Sequence, residues 1–554
     1  MTQTAAALLQ LAALVGALLL VQWPLGTYIA KILTDQRDNR LERGIYRLVG
    51  ADPASRQPWS RYAVSVLAFC AMGLLLLYGL LRMQAMLPWN LGMAAVPASG
   101  AFNTAASFVT NTNWQWYSGE STLGYLAQMA GLTVQNFVSA AVGISVAFAL
   151  LRGFLASGAN EVGNFWVDIT RTVMRLLLPI AALAAALLML GGAIQNLSDP
   201  VTVNTLSGGS QTLPGGPVAT QEVIKQLGTN GGGFYNANSA HPFENPTPFT
   251  NLFQIFLMLV IPFSLPRAMG IVLGNKRQGV AILSAMGILW LVSAATITWA
   301  EMAGKGLAPE LAGAAMEGKE VRFGVTGSAL FASATTGTST GAVDAMHDSF
   351  TAAGGGLAML NMMLGEVSPG GTGSGLYGML VAAILAVFLA GLMVGRTPEI
   401  YGKRIGRREV TMVALYILTT PVILLVGAAL TAVVPALVTA SVSQAGPHGL
   451  SGLLYAYTSA SNNNGSAFAS FGAATTYQNT ALGLAMLFGR FVPIVLVLAL
   501  AGSLAEQTRK PPGPGTLPTD KPLFVGLLVV VVLFVAALTY VPALALGPVA
   551  EALL

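Results

Sequence analysis

The chain alternates long apolar runs with short polar, glycine-rich interruptions. Ten of the runs approach or exceed about 20 residues, the length at which a helix crosses the hydrocarbon layer. The pattern predicts spans at Ala5–Tyr28, Tyr62–Leu81, Leu123–Leu151, Leu176–Ile194, Leu252–Leu273, Val280–Ala300, Phe350–Val394, Val413–Val434, Thr480–Leu500 and Leu523–Val541. The seventh is too long for one crossing and is interrupted between Gly365 and Gly375 by glycines and Pro369. Such a stretch will not hold a helix, so it reads as two half-helices around an irregular loop at membrane depth.

Four polar segments fall between paired spans. They are Thr110-Asn111-Thr112-Asn113, Thr229-Asn230-Gly231-Gly232-Gly233, Thr338-Ser339-Thr340-Gly341 and Asn462-Asn463-Asn464-Gly465. From Asn113 to Gly231 is 118 residues, from there to Gly341 is 110, and on to Gly465 is 124. Recurrence of this kind is how internally repeated transporters are recognised. The expected fold is an all-α integral membrane protein of ten helices with four pseudo-fourfold helix–pore-loop–helix repeats. The first helix and a loop occupy residues 1–61. The repeats run 62–152, 153–278, 279–408 and 409–508, with pore loops near 103–115, 221–234, 330–343 and 450–468. Residues 509–554 supply a linker, Lys510 to Gly515, and the last span.

Non-helical backbone at membrane depth is tolerated only against protein or a water-filled path. Four such bends can set a ring of oxygens around one axis, the geometry of a cation selectivity filter.

Composition agrees with a membrane protein. Hydrophobic residues make up 54% and charged residues 9%, against about 25% charged in soluble domains. One cysteine, Cys70, excludes a disulfide framework and reads as a buried small hydrophobe. The first apolar run lacks the basic flank of a cleavable signal peptide. The net charge of +5 matters through its distribution. The loop after the first span carries Lys31, Arg37, Arg40, Arg43, Arg47, Arg56 and Arg61. Arg396, Lys403, Arg404, Arg407 and Arg408 precede the eighth span, and Lys276 and Arg277 the sixth. Positive loops stay cytoplasmic. Both termini are therefore expected outside, with all four polar segments entering from the outer face. Lys305, Lys319 and Arg322 are the exception to this charge pattern.

The chemistry of the bends is that of neutral oxygen ligands. Their central positions hold no Asp or Glu. Carboxylates favour harder ions such as Ca²⁺, whereas carbonyl, hydroxyl and amide oxygens suit K⁺. The candidate filter comprises Asn111, Thr112 and Asn113; Thr229, Asn230 and Gly231; Ser339, Thr340 and Gly341; and Asn463, Asn464 and Gly465. Asn113 stands where the other segments have glycine, and Asn tolerates the left-handed region. Gln115 would sit at the filter entrance. The run Gln221 to Leu227 would form a pore helix aiming its negative end at the site.

Ionisable residues at membrane depth usually mark a pathway. Glu366, with Gly370, Gly371 and Gly373, would form a gate beneath the filter, or Glu366 would merely cap a half-helix. Arg490 would be a positive barrier on the exit route, or a structural ion pair, with Glu366 as one possible partner. His241, His347 and His448 lie near the outer mouth on separate loops, without the close pairing of zinc ligands. Asp344 and Asp348 would attract cations, or pair with Arg322 or pore-helix amides. Glu222 and Lys225 form a local ion pair on the second pore helix. Ala382, Ala386 and Ala390 give close helix packing.

Several of these motifs carry a resemblance. Phe102-Asn103-Thr104 through Asn113-Trp114-Gln115, Leu227 through Phe234 and His241 through Pro246 are among them. Ala345 through Phe350 and Asn462 through Phe468 complete the set. Across its whole length the chain resembles the family of potassium-binding A subunits (KdpA) of the bacterial Kdp potassium-transporting ATPase. The resemblance implies a superfamily of K⁺ transporters in which one chain mimics a tetrameric channel. It implies K⁺ as the transported ion and no organic cofactor. The implied partners are a P-type ATPase catalytic subunit, a single-span periplasm-facing subunit and a very small single-span subunit, in the bacterial inner membrane. ATP would then be hydrolysed outside this chain. In agreement, no phosphate-binding Gly-x-x-x-x-Gly-Lys-Ser/Thr loop occurs, and Asp520-Lys521-Pro522 breaks off from the P-type phosphorylation motif. The rivals are an autonomous K⁺ channel or gradient-driven transporter of the same superfamily, and a membrane enzyme. The last would need a cluster of carboxylates or histidines at one depth.

Overall fold

The structure is a computed structural model that describes residues 3–303, 316–395, 398–511, 513 and 516–553. Lys305, Arg396 and the linker residues Pro512, Pro514 and Gly515 lie outside the described residues. Among the described residues, ten helices are long and apolar enough to cross a membrane. They are Thr4–Thr34, Trp59–Met86, Ala127–Leu155, Phe165–Leu190, Pro248–Val272, Lys276–Met302, Ser374–Met393, Arg407–Ala432, Thr476–Glu506 and Pro522–Leu553. All ten coincide with predicted spans. The irregular crossing is resolved as expected into Ala352–Met363 and the helix starting at Ser374, with residues 364–373 between them non-helical.

Four shorter helices, Ala98–Val109, Val218–Leu227, Gly324–Gly337 and Gly446–Asn462, precede the polar segments. Each lies between the two spans of its unit. The third and fifth spans are largely enclosed by other helices, while the first, second and eighth present most of their surface outward. The core therefore gathers around the four bends. Close approach marks the outer contacts as well: Gly26 of the first span lies against the Ser264 carbonyl of the fifth, and the Arg267 guanidinium stacks over Trp23 at 4.5 Å.

The fourth span begins at Phe165, eleven residues before the predicted Leu176. The hydropathy pattern missed its first turns because they carry Asp168, Arg171 and Arg175. Each of these is paired. Arg152 grips Asp168 at 2.6 and 2.7 Å, Arg171 meets Asp38 at 2.7 Å, and Arg175 meets Asp35 at 2.7 Å and Glu42 at 2.5 Å. Neutralisation by the loop after the first span lets a charged turn join an apolar helix. Outside the helical body, an exposed antiparallel hairpin pairs Val201–Asn204 with Ser210–Leu213. Span counting gave no sign of it, although Val201 and Val203 alternate with polar residues.

Candidate ion site and the elements that hold it

The four pore helices end at the four bends, so the negative end of each backbone dipole meets its segment. The bends share one backbone pattern. Asn111, Thr229, Ser339 and Asn463 have φ of 68°, 49°, 54° and 61°. Two residues on, Asn113, Gly341 and Gly465 have φ of 58°, 76° and 110°. In the second bend this turn falls on Gly232, at 73°, one residue later than Gly231. Asn113 thus takes the left-handed conformation expected of it. Alternating positive and negative φ turns successive carbonyls toward one side.

Convergence is read most directly at Gly231. A β-carbon there would lie 2.6 Å from the Thr112 carbonyl oxygen, 3.0 Å from that of Thr340 and 3.1 Å from that of Asn464. One backbone atom of the second bend therefore faces oxygens of the other three. Gly465 likewise crowds the Thr112 carbonyl, and Gly341 that of Asn464. All twelve candidate filter residues meet in this ring, buried except for the half-buried Gly465.

Side chains tie the ring together. Asn111 Nδ2 donates to the Thr229 carbonyl at 2.7 Å, and Asn230 Nδ2 donates to Asn111 Oδ1. Asn463 Nδ2 donates to Thr112 Oγ1 at 3.0 Å, and Asn464 Nδ2 to the Thr335 carbonyl at 3.0 Å. Asn113 is tethered through its amide to Asn136 on the third span. Gln115 bridges the first and second segments: the Gly233 N–H donates to its Oε1 at 2.9 Å, and its Nε2 donates to the Gly233 carbonyl at 3.1 Å.

The interrupted helix lies directly beneath. Glu366 accepts hydrogen bonds from Ser339 Oγ and, at 2.8 Å, from Asn464 Nδ2. The Gly370 N–H donates to the Gly337 carbonyl at 2.8 Å, and the Thr372 N–H to Thr229 Oγ1 at 3.0 Å. Gly371 lies against Ser339 and Thr229. Gly373, at φ 90°, packs on the backbone of Gly143, so a side chain at either glycine would part loop and helix. Below these groups is a cavity of about 120 Å³ lined by Ser339, Glu366, Tyr377, Asn463 and Arg490. Arg490 is buried and makes no ion pair with Glu366; its Nη2 donates to the Ser139 carbonyl at 3.4 Å. The possible Glu366–Arg490 pairing is therefore not found.

Around the mouth the pairings also differ from expectation. Arg322 pairs with neither Asp344 nor Asp348 but with Glu320 at 2.6 Å, and it donates to the Asn245 and Ala240 carbonyls. Asp344 is fully buried. Asp348 pairs with His448 at 2.8 Å, and His448 reaches Glu551 of the last helix at 2.7 Å on its other nitrogen. The two carboxylates raise the His448 imidazolium to about 10. His347 hydrogen-bonds Tyr455 at 2.9 Å, and His241 stacks on Tyr235 at 3.9 Å. Glu222 and Lys225 pair as expected, at 2.5 Å, but a third member, Glu244, joins at 3.1 Å. Glu244 lies in the His241–Pro246 motif, where the sequence assigned it no partner; its charge, in an approach to the fifth span that carries no other Asp, Glu, Lys or Arg from Gly228 to Thr247, was the available signal.

The description Potassium-transporting ATPase A subunit, KdpA, matches residues 12–553. The chain belongs to the KdpA family. It is 59% identical over 554 residues to the "Potassium-transporting ATPase potassium-binding subunit" of Clavibacter michiganensis subsp. michiganensis, covering 99% of both chains. It is 58% identical to the protein of that description from Kineococcus radiotolerans, over 99% of this chain and 98% of that one. With the Mycobacterium avium protein it shares 59% identity over the full length of each. Its fold is similar to the crystal structure of the potassium transporter TrkH from Vibrio parahaemolyticus. There the TM-score is 0.52 at 14% identity, over 86% of this chain and 96% of that one.

Proposed function

We propose that the chain is the potassium-binding and translocating subunit of an ATP-driven, high-affinity K⁺ uptake complex. One observation carries the reading: carbonyls of Thr112, Thr340 and Asn464 converge on Gly231. A ring of uncharged oxygens replaces the water shell of a large, weakly hydrated cation. The filter is made of Asn111–Asn113, Thr229–Gly231, Ser339–Gly341 and Asn463–Gly465, with Gln115 at the entrance. Beneath it, the loop of Gly370, Gly371 and Gly373 with Glu366 acts as the gate. Arg490 then opposes direct passage to the cytoplasm and leaves the ion to move sideways toward the catalytic subunit. Energy comes from ATP hydrolysis on a P-type partner. A single-span periplasm-facing subunit and a very small single-span subunit complete the complex in the bacterial inner membrane. Both termini are extracytoplasmic, by the distribution of Lys and Arg.

The test is a density map of the assembled complex with K⁺ replaced by Rb⁺. The reading expects a heavy-atom peak on the axis between Thr112, Thr340 and Asn464. A peak elsewhere, with none on that axis, overturns it. The likeness in fold to TrkH gives a second reading, an autonomous K⁺ channel or gradient-driven transporter. Sustained K⁺ current through the reconstituted chain alone decides for that reading; current only in the presence of partners and ATP decides against it.

A further inference from the structure

Behind the second bend, three ionic side chains meet without access to solvent. Lys225 and Glu222 are each 1% exposed and Glu244 is 0% exposed. Lys225 Nζ lies 2.5 Å from Glu222 and 3.1 Å from Glu244, and it donates to Asn238 Oδ1 at 2.9 Å and Ser239 Oγ at 3.0 Å. Glu222 also accepts from Ser239 at 2.6 Å and Gln226 at 2.8 Å, and Glu244 from the Tyr235 N–H at 2.8 Å. When both are ionised, two carboxylates against one ammonium leave an excess negative charge where water does not screen it.

The cluster is wired to the filter. The Lys225 carbonyl accepts from the Asn230 N–H at 2.8 Å, inside the second bend. Asn238 packs against Gly233 and accepts at 3.4 Å from the N–H of Val343, just past the third bend. Burying a second carboxylate beside a single ammonium is expensive.

We propose that the Glu222–Lys225–Glu244 cluster determines K⁺ affinity, by fixing the second and third filter bends and by adding its excess negative charge to the field on the ion. Lys225 and Asn238 act as positioning residues, and Glu244 supplies the charge. Burial pushes the Glu244 carboxyl up to about 8, against the pull of Lys225 and with the help of Glu222. The charge is therefore present above that value and lost below it. Beside the cluster, Tyr235 feels Glu244 and Glu120, and His241, stacked on Tyr235, feels Arg322. Burial and Arg322 hold His241 down near 4, so it stays neutral across the relevant range.

The inference rests on the proposed filter, and the experiment separates the two. The readout is the KM for K⁺ of ATP hydrolysis by the assembled complex, across about pH 6.5 to 9. The wild-type KM falls by about three- to tenfold as the pH rises, the scale of one charge acting through protein. Glu244→Gln loses most of that slope, and so does Glu222→Gln, which frees Lys225 to keep Glu244 ionised and neutralised. A merely structural role would change yield and thermal stability and leave the slope alone. A flat wild-type profile, or a slope intact in either variant, overturns the inference; if Glu244→Gln fails to assemble, the wild type and Glu222→Gln still decide. Gly231→Ala in parallel shifts KM at every pH. If it does not, the filter reading itself has failed.

Discussion

Gly231→Ala is the smallest change that probes the ring. The φ of Gly231 lies outside the left-handed range, so the backbone accepts alanine and only space opposes it. The new β-carbon would stand 2.6, 3.0 and 3.1 Å from the carbonyl oxygens of Thr112, Thr340 and Asn464. Ordinary carbon–oxygen contact begins near 3.4 Å, so these oxygens retreat by roughly 0.8, 0.4 and 0.3 Å. Overpacking a tight site costs about 1–3 kcal/mol. Three of the four quarters supply those oxygens, so the strain falls on the geometry proposed to hold the ion. At about 1.4 kcal/mol per factor of ten, the apparent affinity for K⁺ weakens by roughly 5- to 150-fold, and discrimination against Rb⁺ and NH₄⁺ narrows. The assay is K⁺-stimulated ATP hydrolysis by the purified complex, titrated with each ion, with co-purification of partners as the control for assembly. Unchanged affinity and ion preference in an assembled complex would refute the convergence argument.

Three further outcomes are expected. Arg490→Ala removes the buried cation below the filter, and K⁺ leak through the complex rises without loss of assembly; a purely structural Arg490 would show poor assembly and no leak. Deleting Gly370 and Gly371 uncouples the loop from Gly337 and Thr229 and likewise raises passive K⁺ flux, measured in vesicles without ATP; unaltered flux argues against a gate there. The His448 clamp between Asp348 and Glu551 stabilises the fold most below the ordinary His value near 6.5, and its contribution declines as the pH rises toward about 10. Glu551→Gln flattens that decline in thermal unfolding measured against pH, whereas parallel curves for variant and wild type would exclude the clamp.

The parts of the molecule legible in the sequence are those written in local composition. Apolar length revealed ten spans, the density of glycine and small polar side chains revealed four bends, and glycines with Pro369 revealed the broken helix. Asn113 was readable because one residue's conformational tolerance decided it. What stayed hidden depends on partners distant in the chain. The charged start of the fourth span looked unfit for a membrane until Asp35, Asp38 and Glu42 were seen beside it. Glu244 could not be joined to Lys225, nor Glu551 to His448, because spacing does not say which separate segments meet in space. The possible Glu366–Arg490 pair was reasonable by charge, yet Glu366 turns up to Ser339 and Asn464, and Arg490 to a backbone carbonyl.

All four bends belong to one polypeptide, unlike a channel assembled from identical copies. A substitution therefore appears once around the axis and not four times, so each quarter can drift or specialise alone. The chain uses that latitude: among the described residues, the carboxylate hydrogen-bonded to the ring from below, Glu366, is contributed by a single quarter. A pore with unequal sides has a built-in direction across the membrane plane, a property that strict rotational copies cannot possess.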